Sequence, residues 1–156
     1  MQLTIATRRF RLRDMERILE IEAASFGPDA YDRKLFAEFF HTCGGLFLVA
    51  VRGTRVLGYV ITHVSGQRPG LAELVSIAVD PAARGRGVAS ALLESSLRRL
   101  RRRRVTRYTL AVRECNRPAR AFYAKYGFQK LRKLPGYYED GEDGLLLRRT
   151  DGVTLQ

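Results

Sequence analysis

The sequence predicts an α/β domain built on one mixed sheet of about seven strands, with about four helices on its two faces. Apolar residues recur with helical spacing in some segments and with strand spacing in others. Glycine and proline separate these segments into the order β-α-α-β-β-β-α-β-α-β-β. At 156 residues, the chain has the length of one domain with one sizeable core. We therefore expect residues 1–156 to form a single domain.

Glycine and proline pairs mark where the elements of the first half begin and end. Gly27-Pro28 and Gly44-Gly45 break two helical stretches, and Arg52–Arg55 is typical of a β-hairpin turn. Asp32 offers the side-chain acceptor of a helix N-cap. The predicted elements are a strand around Leu3 and Ile5, a helix from about Asp14 to Phe26, a helix from about Asp32 to Gly44-Gly45, and strands at Leu46–Val51, Val56–Val64 and Leu71–Val79. The apolar stripes of the two helices are Met15, Ile18, Leu19, Ala23 and Phe26, then Leu35, Phe36, Phe39 and Phe40.

The second half predicts two more helices and three more strands. Asn116 can cap a short helix that has Pro118 in its first turn and Gly127 at its end, which is the expected order of these residues. The predicted elements are a helix from about Gly87 to Arg103, a strand at Val105–Val112, the short helix, and strands at Phe128–Leu134 and Gly144–Arg149 joined by the loop Pro135–Asp143. The inward face of the long helix is Val88, Leu92, Leu93, Leu97 and Leu100.

The composition favours a soluble protein of a reducing compartment. Apolar residues make up 46% and charged residues 28% of the chain, a balance typical of globular domains. Cys43 and Cys115 lie far apart and outside any CxxC spacing, so we expect no disulfide and no metal site. Met1–Phe10 is charged, unlike a signal peptide, and no apolar run approaches the ~18–20 residues that cross a bilayer. These features predict a cytoplasmic protein without a membrane partner.

The positive charge is concentrated in one segment. Lys and Arg number 28 against 16 Asp and Glu, which gives a net charge of +12. Much of the excess lies in Arg98–Arg104. These cations can solvate the last turn of a helix, where the macrodipole favours positive charge, or they can contact the ribosome, RNA or an acidic protein. The run contains no aromatic residue, which argues against base-specific RNA recognition.

The segment Val75–Leu93 carries the strongest functional signal. A strand runs into a loop that contains Gly85 and Gly87, and the loop opens a helix. The NH groups at a helix start are unpaired and the helix dipole adds positive charge, so a pyrophosphate fits there. Glycine lets phosphates approach the backbone, and Arg84 and Arg86 add charge. The Gly-Lys-Ser/Thr of a Walker A motif is absent, and so is the third glycine of a dinucleotide-binding loop.

In this context the sequence resembles the GNAT superfamily of N-acetyltransferases over essentially its whole length. The family signature Gln/Arg-x-x-Gly-x-Gly/Ala stands here as Arg84-Gly85-Arg86-Gly87-Val88-Ala89. The resemblance implies the GNAT fold, with a mostly antiparallel sheet, and acetyl-CoA as the acetyl donor. It also implies that the signature holds the pyrophosphate of CoA. The pantetheine arm would pair, like an added strand, with the backbone around Ile77, Ala78 and Val79.

The second half resembles the same family. Asn116–Phe128 shows an Asn cap, then Tyr123, then Gly-Phe. By this resemblance, Asn116 contacts the pantetheine arm and Tyr123 lies near the sulfur. Gly136–Asp143 resembles the Tyr-Tyr…Glu-Asp stretch of ribosomal-protein-alanine N-acetyltransferases and their N-terminal acetyltransferase relatives. Two residues of this stretch are candidate substrate-binding residues, Tyr137 and Tyr138.

Acetyl transfer to an amine requires a neutral amine, a stabilised oxyanion and a proton for the departing thiolate. Tyr123 is the candidate general acid, since a phenol of pKa about 10 can protonate a thiolate whose thiol pKa is about 8.5. The backbone NH near Val79 is the candidate oxyanion donor.

The general base has several candidates. Glu73 lies inside the apolar strand Leu71–Val79, where a carboxylate is costly unless it is paired or functional. Histone acetyltransferases of the superfamily carry a catalytic Glu in a similar context, so we expect Glu73 to be catalytic and to bind substrate; the alternative is a rim residue paired with an Arg. The resemblance to ribosomal-protein-alanine acetyltransferases would place the base at Ala111, which cannot serve. Glu114 and His63 are further candidates.

The acceptor is predicted from the amine chemistry. A peptide α-amine, of pKa about 7.7–8.0, is roughly one tenth neutral at pH 7, whereas a lysine amine of pKa about 10.4 is neutral less than about once in a thousand. A weak base therefore favours the α-amine of a protein or peptide N-terminus. The alternatives are a lysine or small-molecule acetyltransferase, and an RNA- or ribosome-binding module that uses Arg98–Arg104 on an acetyltransferase core.

Overall fold

The computed structural model describes residues 4–151. This part of the chain forms seven strands and four helices. Their bounds are β1 Ile5–Arg9, α1 Met15–Phe26, α2 Arg33–Cys43, β2 Phe47–Arg52, β3 Arg55–Val64, β4 Leu71–Val79, α3 Val88–Arg102, β5 Arg107–Arg113, α4 Arg117–Lys125, β6 Gln129–Leu134 and β7 Gly144–Thr150. The predicted order of elements is confirmed; of the predicted first strand, Leu3 lies outside the described residues.

The seven strands form one sheet in the order β1-β2-β3-β4-β5-β7-β6. The pairs β1–β2, β2–β3, β5–β7 and β6–β7 are antiparallel. Strand β4 pairs in parallel with β5 from Leu71–Arg107 to Glu73–Thr109. The predicted mixed, mostly antiparallel α/β sheet is therefore confirmed.

The chain divides into two compact units. We call Met1–His63 with Leu74–Arg103 unit 1, and Val64–Glu73 with Arg104–Gln156 unit 2. Strand β4 begins in unit 2 and ends in unit 1. The single domain expected over residues 1–156 stays a prediction.

The core of unit 1 is aromatic at its centre. Phe36, Phe47 and Tyr59 are fully buried, and the rings of Phe36 and Tyr59 meet edge to face with centroids 5.5 Å apart. Helix α3 contributes the five apolar residues that its helical spacing predicts, and all five are buried: Val88, Leu92, Leu93, Leu97 and Leu100. This stripe holds α3 against β1 and β2.

The predicted inward face of α1 is partly wrong. Met15 and Ile18 are buried as expected, but Phe26 is 39% exposed. The buried face also includes Ile21 and the carboxylate residue Glu22, which is only 1% exposed. The residues at positions 15, 18 and 22 share one face of a helix, so the spacing alone was compatible with a buried Glu22, but its charge argued against it.

Unit 2 is organised by β5, which pairs along its whole length with β7. Burial alternates along β5, as expected for a strand with one face in the core. The predicted start of this strand at Val105 is two residues too early; Val105 is buried and its carbonyl accepts a hydrogen bond of 2.8 Å from the Tyr108 hydroxyl. The core of the unit is built from Tyr108, Leu110, Val112, Tyr123, Phe128, Leu145 and Leu147.

Gly58 on β3 provides a test of the packing in unit 1. A Cβ at this position would lie 2.7 Å from the carbonyl oxygen of Ala78 and 3.3 Å from Leu92 Cδ1. Because a backbone oxygen cannot move aside cheaply, Gly58→Ala should lower the free energy of unfolding by about 1–3 kcal/mol in chemical denaturation. Gly66→Ala is the control, since a Cβ there meets nothing within 4 Å. Equal stability of the two variants would contradict this packing.

Candidate active site

In unit 1, Asp80 fixes the carboxyl end of β4. Its NH donates to the Leu57 carbonyl at 2.8 Å, and its Oδ1 accepts from the Ala82 NH at 3.0 Å. Its Oδ2 pairs with Arg17 and lies 3.6 Å from Arg55 Nη2. The Ala82 NH and then the Arg17 guanidinium hold the pKa of Asp80 below its ordinary value. The charged form therefore stabilises the fold at neutral pH, and this contribution is lost as the pH falls through the lowered pKa.

Two glycines shape the loop that follows. Gly85 and Gly87 have φ angles of +75° and +82°, in the left-handed region that favours glycine. A Cβ at either would meet nothing within 4 Å, so the space beside the loop is open. Gly87 is the N-cap of α3 and gives it no side-chain hydrogen bond. The first helical bond runs from the Ala91 NH to the Gly87 carbonyl at 3.0 Å, so the NH groups just before Ala91 have no acceptor within the helix.

The charge and exposure of this loop fit a pyrophosphate. Arg84, Gly85, Arg86 and Gly87 are all exposed, whereas Val88 is buried and begins the core face of α3. The Arg84 guanidinium reaches Ser25 Oγ at 3.4 Å. Unpaired NH groups, a helix dipole, open space and two exposed guanidinium groups together suit a doubly charged ligand.

The remaining predicted cofactor residues of unit 1 lie in order along the structure. Ile77 and Val79 are half-buried at the end of β4, and Ala78 between them is 5% exposed within the core. Ala89 is half-buried in the first turn of α3. Unit 1 therefore brings nine of the predicted residues onto one strand–loop–helix segment, namely Ile77, Ala78, Val79, Arg84, Gly85, Arg86, Gly87, Val88 and Ala89.

In unit 2, Asn116 is the N-cap of α4. Its Oδ1 accepts a hydrogen bond from the Ala119 NH at 3.2 Å, which confirms the predicted cap. Asn116 is exposed. The capping bond uses the side-chain oxygen, so the amide NH2 group still has donors for a ligand.

Tyr123 lies in the middle of α4 and is only 7% exposed. Its ring packs edge to face on Phe122 and Phe128, with centroids 5.3 and 5.7 Å away. Burial, and to a smaller extent the neighbouring Tyr138, raises the pKa of Tyr123 well above its ordinary value. Among the described residues we find no hydrogen-bond partner for its hydroxyl. The phenol therefore keeps its proton at neutral pH and can donate it to a ligand.

Arg113, at the end of β5, organises the loop that follows β6. Its Nη1 lies 2.9 Å from Asp140 Oδ2 and 2.9 Å from Glu142 Oε2. Its guanidinium carbon stands 4.2 Å from the centroid of the Tyr138 ring, a cation–π contact. Cys115 Sγ donates to Glu142 at 2.7 Å. One arginine thus holds three residues of the loop in place.

Tyr137 and Tyr138 differ in their surroundings. Their rings meet edge to face with centroids 5.0 Å apart. Tyr138 is half-buried on Arg113, whereas Tyr137 is 55% exposed. A Cβ at Gly144 would lie 3.3 Å from both rings, so glycine at this position lets the tyrosines pack against β7. An exposed aromatic ring on an ordered loop is suited to contact a ligand.

The structure changes the argument for the base. Glu73 is exposed, so the expectation of a buried, costly carboxylate in mid-strand is wrong. Its assignment as catalytic and substrate-binding stays a prediction. Glu114 forms an ion pair with Lys133 Nζ at 3.4 Å, His63 is exposed at the end of β3, and Ala111 has no acid–base group.

Sequence reasoning missed a buried polar chain in unit 1. Glu22 of α1 accepts a hydrogen bond from the Tyr59 hydroxyl and another, of 2.9 Å, from the Tyr31 NH. The Tyr59 oxygen lies 2.9 Å from Ser76 Oγ on β4. Burial raises the pKa of Glu22. The only signal in the sequence was the position of Glu22 on the apolar face of α1.

The arginine run lies where the sequence predicts it. Arg99, Arg101 and Arg102 occupy the last turn of α3, where the helix dipole favours cations. Burial, and then repulsion from Arg9 and neighbouring arginines, lowers the pKa of Arg99. An RNA, ribosome or acidic partner of Arg98–Arg104 stays a prediction.

The model of the acetyltransferase (GNAT) family matches residues 12–128. The chain belongs to the GNAT family. It is 34% identical over 152 residues to an N-alpha-acetyltransferase of Saccharolobus solfataricus, covering 91% of this chain and 90% of that one. Its fold matches Ard1 from Thermoplasma volcanium with a TM-score of 0.88 at 28% identity, covering 95% and 98% of the two chains.

A second solved structure of the family is equally informative. The ribosomal-protein-S18-alanine N-acetyltransferase from Escherichia coli matches with a TM-score of 0.83 at 26% identity, covering 98% of this chain and 99% of that one. As a GNAT-family N-acetyltransferase, the protein transfers an acetyl group to an amine.

Two further properties concern the described part of the chain. Between residues 4 and 151, no group of three or more His, Cys, Asp and Glu side chains is arranged to hold a metal ion. No helix in the same range is long and apolar enough to span a membrane.

The contacts of Arg113 predict the order of the tyrosine loop. Arg113→Ala removes the cation–π contact and two ion pairs, so amide hydrogen exchange at Gly141 and Glu142 should become faster. Arg148→Ala, which changes an exposed arginine of β7, is the control and should leave this exchange unchanged. Equal exchange in both variants would show that the turn itself, through the Gly141 NH to Tyr138 carbonyl bond of 2.8 Å, suffices to order the loop.

Proposed function

We propose that the protein transfers the acetyl group of acetyl-CoA to the α-amine of a protein or peptide N-terminus. The assignment of acetyl-CoA as the donor is supported by the start of α3. There an exposed loop with two glycines in the left-handed region leaves helix NH groups without a side-chain cap. The acceptor is supported by the names of the relatives, which include N-alpha-acetyltransferases and a ribosomal-protein-alanine N-acetyltransferase.

Each part of the strand–loop–helix segment has a proposed task. The backbone of Ile77, Ala78 and Val79 binds the pantetheine arm, and the Val79 NH stabilises the oxyanion. The residues from Arg84 to Ala89 bind the pyrophosphate through NH groups and guanidinium charge. Asn116 donates its side-chain NH2 to the pantetheine arm. Acetyl-CoA supplies an activated thioester, and the protein holds this thioester in position for attack by the amine.

Tyr123 is proposed as the general acid. Burial raises the pKa of Tyr123, so its hydroxyl is protonated at neutral pH but is a weaker acid than an exposed phenol, and it gives up its proton only as negative charge develops on the sulfur. When negative charge develops on the departing sulfur, the phenol donates this proton, and it regains one from the acylated nitrogen.

Glu73 and the two tyrosines of the loop are proposed to act on the acceptor. An exposed carboxylate can hold the positive charge of a protonated N-terminus without a desolvation penalty. Tyr137, whose ring is exposed, and Tyr138 then contact the residues that follow the N-terminal residue of the acceptor peptide. Glu73→Gln should raise KM for the peptide more than it lowers kcat.

The acceptor class is tested by a substrate comparison. Wild-type protein and acetyl-CoA are incubated with a peptide that has a free α-amine, with the same peptide blocked at its N-terminus but carrying one lysine, and with a polyamine, and the release of free CoA thiol is measured. We expect at least tenfold faster release with the free α-amine. Faster release with the lysine peptide or polyamine would establish the alternative, a lysine or small-molecule acetyltransferase.

The loop after β4 is tested by calorimetric titration with acetyl-CoA. The double variant Arg84→Gln, Arg86→Gln removes two charges that face open solvent and leaves both glycines in place. Its Kd for acetyl-CoA should rise by at least about tenfold, since charged hydrogen bonds are worth about 1.5–3 kcal/mol each. The control is Arg101→Gln, Arg102→Gln at the far end of α3, which should leave this Kd unchanged. The opposite ranking in calorimetry would contradict the assignment.

A separate measurement tests the general acid. Tyr123→Phe keeps the buried ring and removes the proton, so kcat should fall by about 10²–10⁴-fold while the Kd of acetyl-CoA stays within about twofold. Tyr126→Phe, on the same helix, is the control and should retain activity. An unchanged kcat in folded Tyr123→Phe would assign the proton to solvent.

A further inference from the structure

A buried carboxylate in unit 1 has no task in the reaction described above. Glu22 is 1% exposed and Tyr59 is fully buried, whereas Ser76 is half-buried. These three side chains come from α1, β3 and β4 and are joined by hydrogen bonds. A buried ionisable group is costly unless its hydrogen bonds are satisfied or it is used.

The number of available protons fixes the direction of the hydrogen bonds that join Ser76, Tyr59 and Glu22. The Tyr59 hydroxyl has one proton, which it donates to the Glu22 carboxylate. In its 2.9 Å contact with Ser76 Oγ it must therefore accept, so Ser76 donates to Tyr59. With its proton committed inward, Ser76 presents only lone pairs to any further partner. While Glu22 is ionised, Ser76 at the outer end of these hydrogen bonds is therefore an acceptor.

The position of Ser76 connects this chain with the proposed reaction. It directly precedes Ile77–Val79, the part of β4 proposed to bind the pantetheine arm. Glu22 itself is too deeply buried to meet a substrate.

We propose that Ser76, Tyr59 and Glu22 form a proton relay that deprotonates the acceptor amine. The inference rests on the proposed function and names the base that the sequence left open. Ser76 Oγ accepts a proton from the ammonium nitrogen as its own proton passes to Tyr59 and the Tyr59 proton passes to Glu22 Oε1. The ammonium becomes a neutral amine and Glu22 becomes a neutral acid.

The protons balance over the complete reaction. The neutral amine attacks the thioester, the C–N bond forms and the C–S bond breaks. The second amine proton goes to the thiolate by way of Tyr123, which gives the amide and free CoA thiol. Glu22 then returns its proton outward through the reversed chain to solvent. Throughout, Glu22 Oε2 accepts from the Tyr31 NH at 2.9 Å, so the proton has a defined place on Oε1.

The electrostatics around Glu22 support this role. The titratable groups that contact it or its partner are Tyr59 of β3 and Tyr31 of the segment between α1 and α2, and neither is a cation. Burial raises the pKa of Glu22 above its ordinary value, so proton transfer to it is less uphill than to an exposed carboxylate.

The decisive variant is Ser76→Ala in the full-length protein. It removes the outer hydroxyl and leaves the Glu22–Tyr59 and Glu22–Tyr31 bonds in place. At about pH 7, kcat with a free α-amine peptide should fall by about 10–10²-fold, and the deficit should shrink to under about threefold at about pH 9.5, where the amine is already neutral. KM for the peptide and the Kd of acetyl-CoA should stay within about threefold. Tyr59→Phe should show the same pH-dependent deficit.

A matched control removes an equivalent hydroxyl elsewhere. Ser95 is 5% exposed on α3 and accepts a hydrogen bond of 2.9 Å from Thr7 Oγ1. Ser95→Ala should have the pH profile of the wild type. If the wild type acetylates peptides and Ser76→Ala is unchanged, or loses the same factor at both pH values, the relay is wrong and the proposed function stands. If the wild type acetylates no α-amine, the proposed function fails and the relay with it.

Discussion

The anchoring of β4 by Asp80 is the constraint on which the donor side of unit 1 depends. One carboxylate satisfies the NH of the following turn and pairs with arginines from α1 and from the start of β3. Its own NH bonds to β3. These contacts end the strand at a fixed point, so the glycine loop begins at a fixed point and α3 starts with its NH groups facing open space. A ligand that binds through backbone groups requires this, because the backbone cannot adjust as a long side chain can.

Cationic side chains outnumber carboxylates in this protein, and several of the carboxylates pair with arginines. Asp14 binds Arg8 at 2.8 Å, Asp80 binds Arg17, and Glu142 shares Arg113 with Asp140. Of these carboxylates Asp140 is exposed, and a surface pair of its kind contributes little to stability by itself, whereas Asp14 is buried. Their effect here is local order, since each ties a loop or a helix end to a strand. The remaining positive charge, a net +12, lies at the surface, above all at the end of α3.

Glu22 differs from these carboxylates, because it is buried and no cation within residues 4–151 pairs with it. Two neutral donors, the Tyr59 hydroxyl and the Tyr31 NH, satisfy its oxygens instead. A carboxylate paired with a cation is held in its charged form, whereas one held by neutral donors in a buried site can take up a proton. The surroundings that make Glu22 unfavourable as a structural ion are those that suit a proton acceptor.

The sequence by itself determined the order of the elements, the inward stripe of α3, the caps at Asp32 and Asn116, and the glycine loop, because each depends on neighbours within a few residues. It could not decide the exposure of Glu73, since alternation along a strand does not reveal which neighbours cover each face. It also gave no link between Glu22, Tyr59 and Ser76. These residues lie on a helix and two strands, and only the packing of α1 onto the sheet brings their oxygen atoms within hydrogen-bonding distance. Local spacing fixes which face a residue occupies; tertiary structure alone fixes what that face meets.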